Sequence, residues 1–146
     1  MVRLEQSRVF PVEREAGFDY ITAPANWPEF WPDLVDIPDL EQTRWQESGD
    51  TARLRMRLAG RTTELHMTLD ELQRPALVRY HSTQQGVPDA AHERHFESAA
   101  EGFDYRLVVT FEPRPGLAGL FDRTVVRYAA ARALRKTLDN LSQRLH

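Results

Sequence analysis

Apolar and polar residues alternate from Asp36 to Arg114, and turn-forming residues interrupt this alternation every 10 to 15 positions. A period of two places successive side chains on opposite faces of a strand. Strands joined by such short turns indicate an antiparallel meander, because parallel strands need crossover connections of about a dozen residues or more. The stretch therefore predicts one large antiparallel sheet, and that sheet must bury its apolar face against another element.

The C-terminal segment is suited to cover that face. Beyond Gly116 the chain contains no proline, and its only further glycine is Gly119. Apolar residues recur there at spacings of three and four, namely Val126, Ala130, Leu134, Leu138, Leu141 and Leu145. This spacing predicts one long helix from about Leu117 to the end, with the apolar stripe on the sheet and the charged residues toward solvent.

The N-terminal part adds a strand and two short helices. Val2, Leu4 and Val9-Phe10 indicate the first strand, and a helical spacing of Phe18 and Ile21 follows. Pro24 to Pro32 indicates a second short helix, which Pro32 ends because it lacks the amide hydrogen. We therefore expect an α+β fold in a single domain over residues 1–146, with about six or seven strands curved around the long helix.

Composition narrows the functional classes. The net charge is −3 and the pI is near 6.0, which favours neither nucleic acid nor a membrane surface as a partner. The chain has no cysteine, no stretch of about 18 apolar residues and no leader-like N-terminus. We expect a cytoplasmic protein with no membrane span, no cofactor and no nucleic-acid partner; its oligomeric state is left open.

Turn residues give a register for three hairpins. A two-residue turn at Gly60-Arg61 pairs Leu54 with Met67, Met56 with Leu65, and Arg57 with Glu64. A tight turn at Glu101-Gly102 pairs Phe96 with Leu107, Ser98 with Tyr105, and Glu97 with Arg106. The loop 73–76 sets Leu69 beside Tyr80 and Asp70 beside Arg79. These registers put opposite charges together on the outer face of the sheet.

The order of elements resembles a known superfamily. The likeness is carried by Phe18, Ile21, Pro24, Asn26-Trp27 and Trp31-Pro32, together with the long helix from about Leu117. On these residues the chain resembles the START and birch-pollen-allergen superfamily, called SRPBCC, and within it the polyketide cyclase/dehydrase and lipid-transport group. The resemblance implies a helix-grip fold, in which the concave face of the sheet and the last helix enclose a ligand cavity.

The registers and the resemblance together define the candidate cavity residues. From the sheet they are Leu54, Met56, Leu65, Met67, Tyr80, His92, Arg94, Phe96, Tyr105, Leu107 and Phe111, and from the last helix Val126 and Ala130. The alternation alone favours a filled core; the resemblance reverses this and favours a cavity. Trp27, Phe30 and Trp31 complete the set, either as a plug in the core or as a lid over the cavity mouth.

His92 and Arg94 are polar residues on the inward face. They either anchor the polar end of a ligand or lie near a strand end, where an inward side chain reaches solvent. A metal site is not expected, because residues three apart on a strand point to opposite faces and separate His92 from His95. His66 and His81 fall on the outer face.

Three functions remain open from the sequence. One is binding or transport of a small hydrophobic molecule, lipid-like or aromatic, in the internal cavity. A second is a cyclase or aromatase that uses the same cavity, as the resemblance allows, and a third is a regulator that senses a ligand. The residues favour binding over catalysis, because no nucleophile with a base, phosphate loop or carboxylate pair stands out; catalytic residues are not assigned.

Overall fold

The computed structural model describes all 146 residues and begins with an edge strand followed by two short helices. Strand β1 spans Val2–Phe10, helix α1 spans Arg14–Thr22, and a 3-10 helix spans Pro24–Glu29. Pro24 stands at the start of that 3-10 helix, where its missing N–H is not needed. The short strand β2, Leu34–Asp36, and a 3-10 turn, Leu40–Gln42, lead into the meander.

The meander forms one antiparallel sheet of seven strands. Its remaining strands are β3 Thr51–Leu58, β4 Arg61–Gln73, β5 Leu77–Gln84, β6 Ala90–Ala99 and β7 Gly102–Phe111. The strand order is β1-β7-β6-β5-β4-β3-β2, so β1 closes on β7 and every neighbouring pair is antiparallel. The open sheet and the long helix confirm the α+β helix-grip fold predicted from the sequence.

The first predicted hairpin register is wrong by two residues. The turn is Ala59-Gly60, and it pairs Leu54 with Leu65, Ala52 with Met67, and Met56 with Thr63. Ala59 and Gly60 have φ angles of 51° and 79°, the combination that a type I′ turn requires. Glu64 therefore lies opposite Arg55, not opposite Arg57 as predicted.

The second register is wrong by the same amount. Phe96 pairs with Tyr105, Ser98 with Phe103, and Glu97 with Asp104, so the predicted pairs of Leu107, Tyr105 and Arg106 do not form. Gly102 is a strand residue and not part of the turn. A Cβ atom there would lie 1.9 Å from the carbonyl oxygen of Phe10, so glycine permits the close approach of β1. In both hairpins a shift of two leaves every side chain on its predicted face.

The predicted register of the third hairpin is correct as far as a β-bulge. Leu69 pairs with Tyr80 as predicted, but the register then shifts and Arg79 lies opposite Glu71 instead of Asp70. Arg79 Nη1 donates to Glu71 Oε1 at 3.1 Å. The side chain of Asp70 contacts His81 Nδ1 at 2.9 Å on the outer face. The β-bulge thus replaces the expected Asp70–Arg79 ion pair with the Glu71–Arg79 ion pair and the Asp70–His81 contact.

The C-terminal helix is continuous over residues 117–142 but changes its winding. Helix α2, Leu117–Phe121, runs into a π-helical segment, Asp122–Val126, and then into α3, Arg127–Ser142. Leu134, Leu138 and Leu141 are buried, as the predicted stripe requires, and Leu145 is buried beyond the helix end. No helix is both long enough and apolar enough to span a membrane.

The packed part of the interior lies where α1 and α3 cover the sheet. Phe18 of α1 meets Phe96 edge-on with the ring centroids 4.8 Å apart, and Phe96 lies 4.8 Å from Tyr105. Phe10 and Phe103 extend this cluster, at a centroid distance of 5.6 Å. These aromatic side chains fill one end of the space between sheet and helix.

Candidate functional site

A cavity of about 910 Å³ lies between the concave face of the sheet and the terminal helix. Of the 39 residues that line it, 25 are hydrophobic. Ligand pockets in proteins commonly measure about 300–1,000 Å³ and are mostly apolar with a few polar groups. The cavity therefore has the size and lining of a site for a small organic molecule.

The exposed lining residues mark the mouth of the cavity. Most of them lie at the turn between β3 and β4, in the loop after β5 and at the start of the terminal helix, namely Ala59, Arg61, Gln85, Gly86, Phe121 and Val125. Gln84, at the end of β5, links the loop after β5 to the β3–β4 hairpin, because its Nε2 donates to Thr63 Oγ1 at 2.7 Å. The mouth thus opens where three separate segments converge.

An ion pair fixes the helical side of the mouth. Asp122 is fully buried, and its carboxylate accepts from the backbone N–H and the guanidinium of Arg114 at 2.7–3.0 Å. Arg114 Nη2 also donates to the carbonyl of Gly86 at 3.3 Å. The hydrogen bonds from Arg114 hold the pKa of Asp122 below its ordinary value. The pair ties the start of the terminal helix to the loop after β5.

Small residues on the helix leave room for the cavity. Ala129, Ala130, Ala133 and Thr137 line it, as does Val126, whereas Leu138 and Leu141 farther along the helix are packed. An alanine side chain reaches only one carbon from the backbone, so it does not fill the space above the sheet. The cavity therefore follows from a change in side-chain size along one helix.

Tryptophans form the wall beside α1. Trp27 is buried and its Nε1 donates to the carbonyl of Ile21 at 2.9 Å. Its ring lies 5.4 Å from that of Trp31 and 5.6 Å from that of Trp45. Trp27, Phe30 and Trp31 all line the cavity, and the hydrogen bond of Trp27 holds its indole in place as part of the wall. This arrangement favours a fixed wall over a hinged lid.

The structure brings most of the predicted residues to the cavity. The sheet contributes Met56, Leu65, Met67, Tyr80, His92, Arg94, Phe96, Tyr105 and Phe111, and the helix contributes Val126 and Ala130. Leu54 and Leu107 do not line it, contrary to the prediction. Both point inward but are 0% and 1% exposed within the hydrophobic core, where neighbouring side chains already cover them.

His92 lies inside the cavity and not at a solvent-filled strand end. Its ring stacks on Tyr80 with the centroids 4.3 Å apart and an interplanar angle of 5°. Nε2 lies 2.8 Å from Ser82 Oγ, and Nδ1 is buried with no hydrogen-bond partner. Burial and the nearby charge of Arg94 hold the pKa of His92 well below 6.5, so the imidazole is neutral at pH 7.

Arg94 is the charged group at the inner end of the cavity, whereas the other charged lining residues, Asp33, Arg57 and Arg61, are exposed. Its Nη2 donates to the Tyr80 hydroxyl at 3.0 Å, and its Nη1 donates to the carbonyl of Glu93 at 3.1 Å. Burial raises the pKa of both Tyr80 and Tyr105, and the charge of Arg94 opposes that rise. Both phenols stay protonated at neutral pH. The inner polar part of the cavity thus consists of one cation among neutral donors and acceptors.

The other histidines lie outside the cavity. His66 contacts Glu64, His81 contacts Asp70, and His95 contacts Glu93, all at 2.8–3.1 Å. His92 and His95 are on opposite faces of β6, as predicted. Across the 146 residues no group of three or more histidine or acidic side chains is arranged to hold a metal ion.

A family model described as polyketide cyclase / dehydrase and lipid transport matches residues 1–146. The chain belongs to this family. No curated protein sequence matches it.

Solved structures of the same fold are distant in sequence. A protein of Thermus thermophilus has a TM-score of 0.79 at 14% identity, with 99% of this chain and 97% of that chain covered. A START superfamily protein of Mycobacterium smegmatis has a TM-score of 0.77 at 11% identity, with 98% and 96% covered. A protein of the dynemicin biosynthetic locus has a TM-score of 0.68 at 13% identity, with 97% and 45% covered. At these identities the likeness shows the fold alone.

Several cavity residues of this polyketide cyclase/dehydrase and lipid-transport family member were not predicted from its sequence. Trp45 is buried and meets both Trp27 and Tyr80 at centroid distances of 5.6 Å, yet it lies in a loop outside any periodic pattern. Ser82 lies two residues beyond Tyr80 in β5, and Val109 lies between Leu107 and Phe111 in β7, so the alternation places both on the inward face. Ala129 and Ala133 could have been found from the predicted helix, on the side next to its leucine stripe.

Proposed function

We propose that this protein binds one small, predominantly apolar molecule in the cavity and holds or carries it without converting it. The observation that supports this proposal most strongly is the cavity of about 910 Å³ with 25 hydrophobic residues in its wall. Burying apolar surface contributes roughly 25 cal/mol per Å², so such a wall favours an apolar guest. The family description includes lipid transport, which agrees with this function.

A second candidate is a cyclase that works in the same cavity. It is favoured by the convergence of Ser82, His92, Tyr80, Tyr105 and Arg94, which could polarise carbonyl groups of a bound substrate. The family description also includes cyclases and dehydrases.

The chemistry of these groups favours binding over catalysis. A general base should have a pKa near the working pH and a partner that orients it. His92 has a pKa well below 6.5, and no carboxylate orients its Nδ1. The two tyrosines, with raised pKa values, serve as hydrogen-bond donors and not as bases.

A Nile red titration with the variant Met56→Trp tests the proposed function. Met56 is partly buried and lines the cavity beside Thr63, so a larger side chain there occupies space that a guest would use. We expect Nile red to bind the wild-type protein at one equivalent and to bind Met56→Trp about tenfold more weakly, a loss of ~1.4 kcal/mol. The melting temperature should remain nearly constant, because the cavity accepts the added volume.

The matched control is Thr62→Trp, which puts the same side chain on the exposed outer face of the neighbouring strand. It should bind Nile red like the wild type. A filled core at Met56 would give the opposite pattern: overpacking would lower stability by ~1–3 kcal/mol, and probe binding would be unchanged or absent from the start. Native mass spectrometry of protein purified from its source would then identify any retained molecule, and turnover of that molecule would favour the cyclase.

A further inference from the structure

Arg94 lies deep in the cavity, far from its mouth. Strand β6 begins at Ala90, next to the loop that forms one side of the mouth, and Arg94 is four residues farther along the strand. At a rise of about 3.3 Å per residue, Arg94 lies roughly 13 Å below the start of the strand. The next inward residue, Phe96, belongs to the aromatic cluster that closes the inner end.

The guanidinium of Arg94 has no acidic partner. None of the ion pairs of the chain includes it, and Glu93, the adjacent carboxylate, pairs instead with His95 and Arg79 on the outer face. Its bonds to Tyr80 and to the Glu93 carbonyl use two of the five N–H donors of a guanidinium. Donors therefore remain for a group inside the cavity.

A charge in such surroundings is costly unless it is paired. The groups that face Arg94 inside the cavity, Tyr80, His92 and Tyr105, are hydroxyl or imidazole groups that supply no negative charge. The cation lies 5.5 Å from the Tyr80 ring centroid, but a cation–π contact compensates only part of the lost hydration. An anion supplied by the ligand would complete the site.

We infer that the ligand carries a single carboxylate, which pairs with Arg94 at the inner end of the cavity while the apolar remainder extends toward the mouth. This inference rests on the proposed function of the cavity. A planar carboxylate matches the fork of a guanidinium with two parallel hydrogen bonds. The unpartnered Nδ1 of His92 is close enough along the same strand face to bond a second polar group of the ligand.

The number of charges distinguishes a carboxylate from a phosphate. Arg94 provides one positive charge and His92, being neutral, adds none. A phosphate monoester carries about 1.5 to 2 negative charges at pH 7, so part of its charge would be buried without a counter-ion. A monocarboxylate balances the site.

The test compares dodecanoate, dodecanol and monododecyl phosphate as competitors of Nile red at about pH 8, where carboxylic acids are ionised. We expect dodecanoate to displace the probe from the wild-type protein about tenfold to a hundredfold more effectively than dodecanol does. Monododecyl phosphate should compete less well than dodecanoate. Arg94→Met should remove the preference for the acid, so that dodecanoate displaces the probe no better than dodecanol does.

The control Arg79→Met makes the same change of charge on the outer face, where Arg79 pairs with Glu71, and it should keep the preference. The inference is overturned if dodecanol and dodecanoate bind the wild type equally, if Arg94→Met still prefers the acid, or if the phosphate binds best. If Arg94→Met does not fold, the comparison of dodecanoate with dodecanol on the wild-type protein still shows whether the cavity prefers a carboxylate. If Nile red itself does not bind, the proposed function fails, and this inference fails with it.

Discussion

Replacing Ala133 by leucine should stabilise the protein and weaken its binding at the same time. Ala133 is partly buried on α3 and lines the cavity. In a packed core the same change would force neighbouring side chains apart and destabilise the fold by ~1–3 kcal/mol. The sign of the stability change therefore distinguishes a cavity from a core.

The magnitude follows from the side chain that is added. Leucine has three more carbons than alanine, and each buried carbon contributes about 0.8 kcal/mol, or ~2.4 kcal/mol in all. Ordering the leucine side chain costs about 0.5–1 kcal/mol, which leaves a gain of roughly 1.5–2 kcal/mol. For a chain of this size such a gain raises the melting temperature by about 3–8 °C.

Calorimetry and a Nile red titration measure the two effects. Ala133→Leu should melt at a higher temperature and bind the probe more weakly than the wild type. Ala131→Leu makes the same substitution on the same helix at a position that does not line the cavity, and it should leave probe binding unchanged. A lower melting temperature for Ala133→Leu with unchanged probe binding would refute the reasoning, because it would mean that Ala133 already lies against filled space.

The remaining predictions concern the helix, the buried histidine and metal ions. Ending the chain after Arg123 should abolish cooperative unfolding, because it removes four buried leucines that contribute ~1.5–3 kcal/mol each; a sharp melt of the truncated protein would contradict this. The pKa of His92 is lowered in the folded protein, so below pH 6.5 the unfolded chain binds more protons than the folded protein does. The free energy of unfolding therefore decreases as the pH is lowered, by at most about 1.4 kcal/mol per pH unit. Urea unfolding between about pH 7 and 5 should show a flatter profile for His92→Gln than for the wild type. Extensive chelation should leave the melting temperature unchanged, and a stoichiometric metal lost with a drop in that temperature would contradict the assignment of the histidines to opposite faces.

The faces of the sheet could be predicted from the sequence, but two of the three predicted registers were wrong. Alternation determines which side chains point inward, and a shift of two residues preserves that assignment. The position of a turn depends on backbone angles that composition does not reveal: Ala59 adopts a positive φ, and Gly102 serves close packing and not a turn. Pairs across the outer face, such as Arg57 with Glu64, were therefore wrong although inward residues such as Met56 were placed correctly.

The polar part of the site was less accessible to sequence reasoning. The inward position of Arg94 followed from alternation, but the lack of an acidic partner depends on where every carboxylate of the chain lies in space. The alternation placed His92 correctly, yet its stacking on Tyr80 depends on the pairing of β5 with β6. Trp45 lies in a loop, where no periodicity indicates burial.

Different parts of the terminal helix stabilise the fold and line the cavity. Its C-terminal half is anchored: Asn140 Nδ2 donates to the carbonyl of Phe30 at 2.9 Å, Asp139 pairs with Arg8 at 2.9 Å, and Leu138 and Leu141 are buried. The helix borders the cavity from Phe121 to Thr137, in part with small side chains, and its π-helical segment, a feature common at functional sites, lies at the mouth. Segments with few buried apolar contacts open at a lower free energy than the packed core. We therefore expect the start of the helix to open more readily than its end once the Asp122–Arg114 ion pair breaks, while Leu138 and Leu141 keep the sheet and helix together.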